Sequence, residues 1–346
     1  MTQKIGTALL GFGHAGSIFH APSIESLEQF SLDVIVTSDP VRQAAARAKY
    51  PLAEVLSRAE WANAGDTHDV DLVVVATPPA SHVALAQAAL EAGCAVVVDK
   101  PFTVTSAEGD ALIALARAKG LVLTTYQNRR WDGEFLTLRK LIAEGALGEV
   151  RRFESRLERW QQSITKEWKA QATPADGGGI LYDLGTHLID QALQLFGPPT
   201  RVYGEVAARR PDERSDDDAF IALEHAGGVI SHLWMNLSAA QAGPRLRVLG
   251  SEAAYVKADP DQQEAQLQAG ILPGSPGYGV DPQENWGLLG RAGSLVPVPT
   301  EPGNFTRFYE LLAAAVLDGA PAPVDPADSV EALRVIEYVR EQATGH

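Results

Sequence analysis

The stretch IGTALLGFGHAG, residues 5–16, decides the fold of the N-terminal half. It joins an apolar run, Ile5–Leu10, to three glycines in the pattern G-x-G-x-x-G. Buried parallel strands read as continuous apolar runs, and a helix that begins at such a glycine loop directs unpaired N–H groups at a phosphate. A dinucleotide site is therefore predicted here, with a plain glycine-rich turn as the alternative. Its predicted contacts are Gly11, Phe12, Gly13 and Gly16.

Short apolar, β-branched runs alternate with Ala-rich helical segments as far as about residue 126. This alternation predicts a doubly wound parallel sheet, whose ligands bind beyond the carboxyl ends of the strands. The predicted strands are Ile5–Leu10, Leu32–Val36, Leu72–Ala76, Ala95–Val98 and Leu121–Thr125. The predicted helices include Val41–Lys49, Ser81–Ala92 and Ser106–Lys119.

After Tyr126 the pattern changes to alternating strands with few helices between them, which predicts an α+β domain with a largely antiparallel open sheet. The expected division is residues 1–126 for dinucleotide binding and 127–346 for substrate binding and oligomer contacts. The predicted strands are Val150–Glu158, Arg201–Ala208, Ala219–Glu224 and Gly228–Asn236, and the predicted helices are Phe135–Glu144, Phe305–Leu317 and Pro326–Gln342. The charged run Arg209–Asp218 is interpreted as a solvated loop.

Composition limits the function classes. The 346 residues include 44 acidic and 29 basic side chains, a formal charge of −15, which argues against a surface for nucleic acid or anionic lipid. No apolar run approaches the roughly 18 residues that a bilayer crossing needs, and no secretory leader is recognised at the N-terminus. The single cysteine, Cys94, excludes an intrachain disulfide and fits a reducing compartment. We expect a cytoplasmic protein with a small-molecule substrate and neither a membrane nor a nucleic-acid partner.

The end of the second predicted strand informs the choice of cofactor. NAD-binding folds usually place an acid there to hold the ribose hydroxyls, whereas a 2′-phosphate needs neutral donors and an arginine. The segment reads Val-Thr-Ser-Asp-Pro-Val-Arg over residues 36–42, and Asp39 is a good N-cap for a helix that begins at Pro40. The sequence therefore favours NADP, held by Thr37, Ser38 and Arg42, with NAD as the alternative if Asp39 is the ribose acid.

Two further segments follow predicted strands at the same edge of the sheet: ATPPASH at 76–82 and VVDKP at 97–101. The nicotinamide half of a dinucleotide reaches this edge. Predicted cofactor contacts are Thr77, Pro78, His82 and Asp99. Lys100 lies between a buried strand and a proline, where a solvated lysine is less natural. His20 and His82 are equally explained by structural hydrogen bonds, and no catalytic role is assigned to either.

The segment GGGILYDLGTHLID, residues 177–190, predicts an amphipathic helix with a polar stripe. At about 100° per residue, Asp183, His187 and Asp190 fall on one side and the leucines on another. One interpretation is that this stripe is merely the wet face of the helix. The other is a proton-transfer site, with Asp190 either orienting His187 or, as we favour, facing water.

These motifs together resemble the Gfo/Idh/MocA oxidoreductases, in particular the NADP-dependent branch similar to scyllo-inositol dehydrogenase. The matching segments are GFGHAG at 11–16, ATPPASH at 76–82, VVDKPFT at 97–103, QNRRWD at 127–132 and GGGILYDLGTHLID at 177–190. The resemblance implies a Rossmann domain followed by an α+β domain whose open sheet forms homo-oligomer contacts, in a dimer or tetramer. It also places the family's lysine on Lys100 and its helix Asp and His on Asp183 and His187. Asp99 departs from the usual glutamate.

The function implied is hydride transfer between a nicotinamide cofactor and a secondary alcohol or ketone of a sugar, inositol or related polyol. His187 would exchange the proton, assisted by Lys100 and Asp183. Candidate substrate contacts are Asn128, Arg129, Arg130, Trp131 and Trp160, for each of which interdomain packing or a salt bridge is an equal alternative. Two other functions are weighed: a non-catalytic NAD(P)-binding sensor, and a metal-dependent hydrolase, which lacks a convincing third ligand. No metal is expected.

Overall fold

The structure, a computed structural model, describes residues 4–64, 70–163, 172–211 and 213–344. Its first sheet has six parallel strands in the order β3-β2-β1-β4-β5-β6. These strands are β1 (Ile5–Leu10), β2 (Phe30–Val36), β3 (Glu54–Leu56), β4 (Leu72–Val75), β5 (Ala95–Val98) and β6 (Leu123–Thr125). Every residue of β1, β4 and β5 is buried because helices cover both faces of the sheet. This strand order is that of a doubly wound Rossmann sheet, which confirms the predicted fold class.

The helices that accompany this sheet follow its strands. They are α1 (Ala21–Glu25), α2 (Pro40–Lys49), α3 (Arg58–Ala64), α4 (His82–Glu91) and α5 (Ser106–Lys119). A π-helical segment, Ala15–His20, precedes α1. The strand order reverses between β1 and β4, so the glycine loop after β1 and the segment after β4 flank one crevice. Lys100 follows β5 at the same edge.

The second sheet has eight strands in the order β14-β13-β12-β11-β7-β10-β9-β8. Its strands are β7 (Val150–Glu158), β8 (Pro199–Ala207), β9 (Asp218–His225), β10 (Ile230–Asn236), β11 (Leu246–Gly250), β12 (Ala254–Lys257), β13 (Gly287–Arg291) and β14 (Ser294–Val298). All neighbouring pairs are antiparallel except β7 with β10. Burial alternates along β9 and β10, as expected of a sheet with one covered face. The prediction of a largely antiparallel open sheet is confirmed.

The remaining helices cover the inner face of this sheet or return to the first one. They are α6 (Gly133–Ala143), α7 (Thr186–Phe196), α8 (Gln263–Gln268), α9 (Thr306–Asp318) and α10 (Pro326–Thr344). Leu188 of α7 and Ile336 of α10 share a core with Leu233 of β10. By contrast, Phe308 and Leu312 of α9 pack in the core of the first sheet. The division at 126/127 stays a prediction. None of the helices in the described ranges is both long and apolar enough to cross a bilayer.

The prediction of a solvated loop for residues 209–218 is wrong for residues 215–217, which are buried, while Arg209, Pro211 and Arg214 are exposed and Asp212 lies outside the described residues. Asp217 is fully buried and accepts hydrogen bonds from the backbone N–H groups of Arg209 and Arg210 and from the Arg210 guanidinium. Asp216 is also buried and accepts from Arg340. The charges are paired with one another across the fold, which is why they remain inside.

Candidate active site

The glycine loop after β1 forms a cradle that side chains would fill. Gly11 has φ +104°, and a Cβ there would lie 2.3 Å from the carbonyl oxygen of Ala76. A Cβ on Gly16 would lie 2.0 Å from the carbonyl oxygen of Gly11, so the start of the π-helical segment packs directly on the loop. A Cβ on Gly13 would meet only the Arg42 guanidinium, at 3.6 Å. This open backbone next to an arginine fits the phosphates of a dinucleotide.

The side chain of Phe12 does not face this cradle. It is buried in the core of the first sheet, edge-on to Tyr50 with 6.0 Å between ring centroids. Only the backbone of Phe12 is therefore positioned for the predicted cofactor contact.

The segment after β2 carries the residues predicted to select the cofactor. Asp39 caps α2, because its carboxylate accepts from the backbone N–H groups of Val41 and Arg42 at 2.9 and 3.0 Å. The Arg42 side chain is half-exposed beside it. Thr37 is buried, and the Ser38 hydroxyl accepts from the backbone N–H of Arg58. The cap accounts for Asp39 without a ligand, which was the reason for favouring NADP.

The segments after β4 and β5 are joined by His82. Its ring is fully buried, with Nδ1 2.8 Å from the carbonyl oxygen of Pro101 and Nε2 2.8 Å from that of Thr77. The Thr77 hydroxyl also lies 2.7 Å from that of Ser81. The imidazole thus holds the two predicted nicotinamide-side loops together, and direct contact of His82 with a cofactor stays a prediction.

Lys100 and Asp183 meet between the two sheets. The Lys100 ammonium donates to Asp183 Oδ1 at 2.8 Å and to the Asp183 carbonyl oxygen at 2.7 Å. Both side chains remain partly exposed, Lys100 by 20% and Asp183 by 40%. The pair is therefore accessible from the crevice, and it brings an ammonium from the end of β5 to a carboxylate from the helical segment before α7.

His187 lies in the first turn of α7 and is only 3% exposed. Burial lowers the pKa of its imidazole well below the ordinary 6.5, and the positive charges of Lys100 and Arg129 lower it further. Its Nδ1 lies 3.1 Å from Oε1 of Gln127, a buried residue just beyond β6. The interpretation of this stripe as a wet helix face is wrong for His187, because its ring is buried against the segment that follows β6.

Gln127 was missed by the sequence interpretation, which considered only the neighbouring residues 128–131. Two signals pointed to it. It belongs to the same QNRRWD segment, and it follows β6, which pairs in parallel with the β5 strand that precedes Lys100.

The helix that carries Asp183 and His187 is not a regular α-helix. Leu181–Gly185 is a π-helical segment, and α7 begins directly after it. Such wide turns are frequent at functional sites. The segment is anchored at its start, since Asp216 accepts from the Leu181 N–H at 2.8 Å and a Cβ on Gly179 would fall 2.2 Å from the Asp216 carboxylate. Glycine at 179 thus permits the buried acid to hold the helix in place.

The candidate substrate residues differ in their surroundings. Asn128 is buried, and Arg129 is paired with Asp132 at 3.2 Å and Glu264 at 3.3 Å. Glu264 also lies 3.3 Å from His14 of the glycine loop, so a chain of side-chain contacts joins that loop to Arg129. Trp131 packs edge-on against Phe308, and Trp160 is 61% exposed at a bridge to Ser238. Substrate contact by these residues stays a prediction.

Arg130 is held by the acid that was expected to face water. Asp190 is only 2% exposed and receives two hydrogen bonds from the Arg130 guanidinium, at 2.6 and 2.9 Å. The expectation for Asp190 is wrong because the guanidinium offsets the cost of burying the carboxylate. Burial raises the pKa of Asp190, and Arg130 opposes that rise. Arg130 also contacts Asp328 at the start of α10.

We expect Arg130→Met to lower the free energy of unfolding by about 3 kcal/mol, because it leaves the Asp190 carboxylate buried without a partner. The control is Arg307→Met, which breaks the half-exposed pair with Glu310 and should cost no more than about 1 kcal/mol. Urea unfolding followed by circular dichroism measures both. Equal losses in the two variants would contradict the structural role of Arg130.

The described residues contain no group of three or more His, Cys, Asp or Glu side chains placed to hold a metal ion. The Asp183 carboxylate instead receives the Lys100 ammonium.

Comparison with known proteins matches both halves of the chain. Residues 5–127 match the family model described as an oxidoreductase family with an NAD-binding Rossmann fold, and residues 135–256 match the GFO/IDH/MocA C-terminal domain. The oxidoreductase YdgJ of Escherichia coli (strain K12) is 39% identical, covering 99% of this chain and 97% of its own. The scyllo-inositol 2-dehydrogenase (NADP(+)) IolW of Bacillus subtilis (strain 168) is 33% identical, covering 99% and 94%. The solved structure of the oxidoreductase yvaA from Bacillus subtilis superimposes with a TM-score of 0.91 at 32% identity, covering 100% and 97%.

Proposed function

The chain belongs to the Gfo/Idh/MocA family of oxidoreductases, and from that premise we propose that it is an NADP-dependent dehydrogenase of a sugar, inositol or related polyol. The observation that carries the proposal is the meeting of Lys100 and Asp183, at 2.8 Å, in the crevice that also holds the buried His187. An ammonium, a carboxylate and a neutral imidazole together suit the removal of a proton from a hydroxyl group.

The proposed reaction converts a secondary alcohol to a ketone. A bound nicotinamide would supply the hydride acceptor for the carbinol carbon, which accounts for the two electrons lost by the substrate. His187 takes the hydroxyl proton as the C=O bond forms. The Lys100 ammonium donates a hydrogen bond to the same oxygen and stabilises its negative charge. Asp183 orients the ammonium and accepts from a neighbouring substrate hydroxyl. In the reverse direction the His187 imidazolium returns the proton.

The cradle at Gly11, Gly13 and Gly16 would hold the pyrophosphate of the dinucleotide, and Thr37, Ser38 and Arg42 would hold its 2′-phosphate. Two arguments support NADP: Asp39 is engaged as a helix cap, and a relative 33% identical over the whole chain carries NADP(+) in its name. Thr77, Pro78, His82 and Asp99 remain proposed contacts on the nicotinamide side.

Arg42→Ala should weaken NADPH binding about 10-fold or more and leave NADH binding nearly unchanged, because only the 2′-phosphate needs the guanidinium. Arg47→Ala is the matched control, since Arg47 is an exposed arginine of the same helix that donates to the carbonyl oxygen of Val55. Fluorescence titration of the reduced nicotinamide gives both dissociation constants. An equal loss of affinity for NADPH and NADH would contradict the assignment of Arg42 to the 2′-phosphate.

We propose a polyol substrate on two grounds. Asn128 and Arg129 directly follow Gln127 in the sequence and add polar groups near the crevice. The IolW relative is named for scyllo-inositol. The decisive experiment is a panel of inositols, polyols and aldoses, each tested with NADP and with NAD while reduced nicotinamide is followed by absorbance. Turnover with an inositol or sugar and NADP is the expected result. No turnover across the panel, with the dinucleotide bound, would favour the sensor.

A homo-oligomer, dimer or tetramer, is proposed to form through the second sheet. Large apolar side chains are exposed there, among them Tyr203 on β8, Leu288 on β13 and Leu295 on β14. Light scattering in solution tests this directly. A cytoplasmic location remains a prediction from the cysteine content.

A further inference from the structure

Gln127 is a buried polar residue to which the proposed reaction gives no task. Its backbone is fixed at both ends, since its N–H donates to the Thr125 carbonyl at 2.9 Å and its carbonyl accepts from the Arg130 N–H at 3.1 Å. Its side chain is 2% exposed, although it lies in the segment between the two sheets. Burying a primary amide is costly unless its polar atoms are bonded, so the contact that it makes identifies its role.

That contact is with His187. Gln127 Oε1 lies 3.1 Å from His187 Nδ1, and an amide oxygen can only accept a hydrogen bond. The imidazole must then carry a hydrogen on Nδ1. A neutral imidazole has a single N–H, so a hydrogen on Nδ1 leaves the lone pair on Nε2.

The charges around His187 favour this neutral form. Burial lowers its pKa most, and Lys100, Arg129 and Arg245 lower it as well, whereas Asp183 acts in the opposite direction. Three cations and one carboxylate thus act on the ring. They come from the segment after β5, the segment after β6, the residue before β11 and the π-helical segment. An acid in place of Gln127 would oppose this lowering of the pKa, because it would stabilise the imidazolium.

We propose that Gln127 is the positioning residue of the active site: it holds His187 in the Nδ1–H tautomer, so that Nε2 is the atom that takes the hydroxyl proton. The role of Nε2 as the catalytic base rests on the proposed function. The tautomer of His187 rests only on its hydrogen bond with Gln127. A glutamine with the opposite amide orientation would donate to Nδ1 and place the hydrogen on Nε2, where the ring could not act as a base.

The tautomer is measured directly on the wild-type protein. Long-range ¹H–¹⁵N correlation spectra of protein with ¹⁵N-labelled histidine distinguish a protonated ring nitrogen from one with a lone pair. The signals of His187 among the eight histidines are those lost in His187→Gln. We expect its Nδ1 to be protonated and its Nε2 to carry the lone pair. An Nε2–H tautomer overturns the inference, whether or not the protein oxidises a polyol.

The second measurement is the pH dependence of Gln127→Glu. A carboxylate beside Nδ1 should move the titration of His187, and with it the acid limb of kcat/KM for oxidation, upward by about 1–3 pH units. Gln29→Glu is the control, because it makes the same charge change on an exposed side chain directly before β2, at the sheet edge opposite to Lys100, and should leave both curves in place. If His187 titrates in Gln127→Glu as it does in the wild type, Gln127 does not contact the ring and the inference fails.

The variant Gln127→Met tests whether Gln127 positions the His187 ring or only stabilises the fold. It should lower kcat about 10- to 100-fold with KM nearly kept, and Gln127→Glu should recover part of kcat at high pH, which a merely structural role would not produce. Failure of the proposed function looks different: no substrate is turned over by the wild type, while the Nδ1–H tautomer and the shifted titration in Gln127→Glu are still observed.

Discussion

His187→Gln is expected to lower kcat for polyol oxidation about 10³-fold, within the 10²- to 10⁴-fold range of general acid–base catalysis. The glutamine keeps a polar side chain in the first turn of α7 but cannot accept the hydroxyl proton. Dinucleotide affinity should change by less than about 3-fold, because the cradle at Gly11–Gly16 lies on the other sheet. Steady-state kinetics and fluorescence titration measure the two effects separately.

The pH profile sharpens this prediction. In the oxidation direction His187 must be neutral, and its lowered pKa keeps it neutral at pH 6.5, so wild-type kcat/KM should fall only at a lower pH. This acid limb should disappear in His187→Gln. The control is His225→Gln, which removes a buried histidine bonded to the Gly197 carbonyl and the Ser231 hydroxyl. It should lower stability and leave kcat intact, and a comparable loss of kcat there would mean that His187→Gln acts only through folding.

The first sheet could be predicted from local patterns because its strands are buried on both faces. Continuous apolar runs such as Ile5–Leu10 and Ala95–Val98 have no other stable environment, and the strands occupy these residues in the structure. The strand that was missed, Glu54–Leu56, lies at the sheet edge and has only three residues. It begins with an exposed glutamate and therefore carries no hydrophobic run to recognise, whereas β6 at the opposite edge is equally short but buried throughout.

The candidate site could be predicted only in part, because periodicity shows which residues share a helix face and not what covers that face. The polar stripe of 183–190 was recognised, but the burial of Asp190 depends on Arg130, which is 60 residues away in the sequence. The π-helical segment depends likewise on Asp216, whose carboxylate reaches the Leu181 N–H from a loop that was interpreted as solvated. Side-chain partners so distant in sequence leave no local signal.

The contact between Lys100 and Asp183 was anticipated by a different argument. Parallel strands end at a common edge, so a lysine after β5 was expected at the crevice, and the family resemblance identified the helix acid opposite it. Gln127 lies at this same edge after β6 and could have been found by the same reasoning. The topology of a parallel sheet is therefore a better guide to this site than the pattern of any single helix.

Lys100→Met should lower kcat/KM for oxidation about 10³-fold, because it removes the only donor that the proposed reaction assigns to the developing alkoxide. Stability should change by no more than about 1 kcal/mol, since the Lys100–Asp183 pair is partly exposed. Lys100→Arg should not restore activity, because a planar guanidinium cannot occupy the point between Asp183 Oδ1 and the Asp183 carbonyl oxygen that the ammonium bonds at 2.8 and 2.7 Å.

Lys140→Met is the matched control for this variant. It breaks a lysine–carboxylate pair with Glu301 that is also partly exposed but lies outside the crevice, so it should alter neither kcat nor KM. Steady-state kinetics with a polyol are measured for the three lysine variants, together with dinucleotide affinity and melting temperature. The comparison separates the catalytic contribution of the Lys100 ammonium from effects on cofactor binding and stability. If Lys100→Met keeps more than about a tenth of wild-type kcat/KM, the ammonium does not stabilise the alkoxide, and the Lys100–Asp183 pair serves only to join the two sheets.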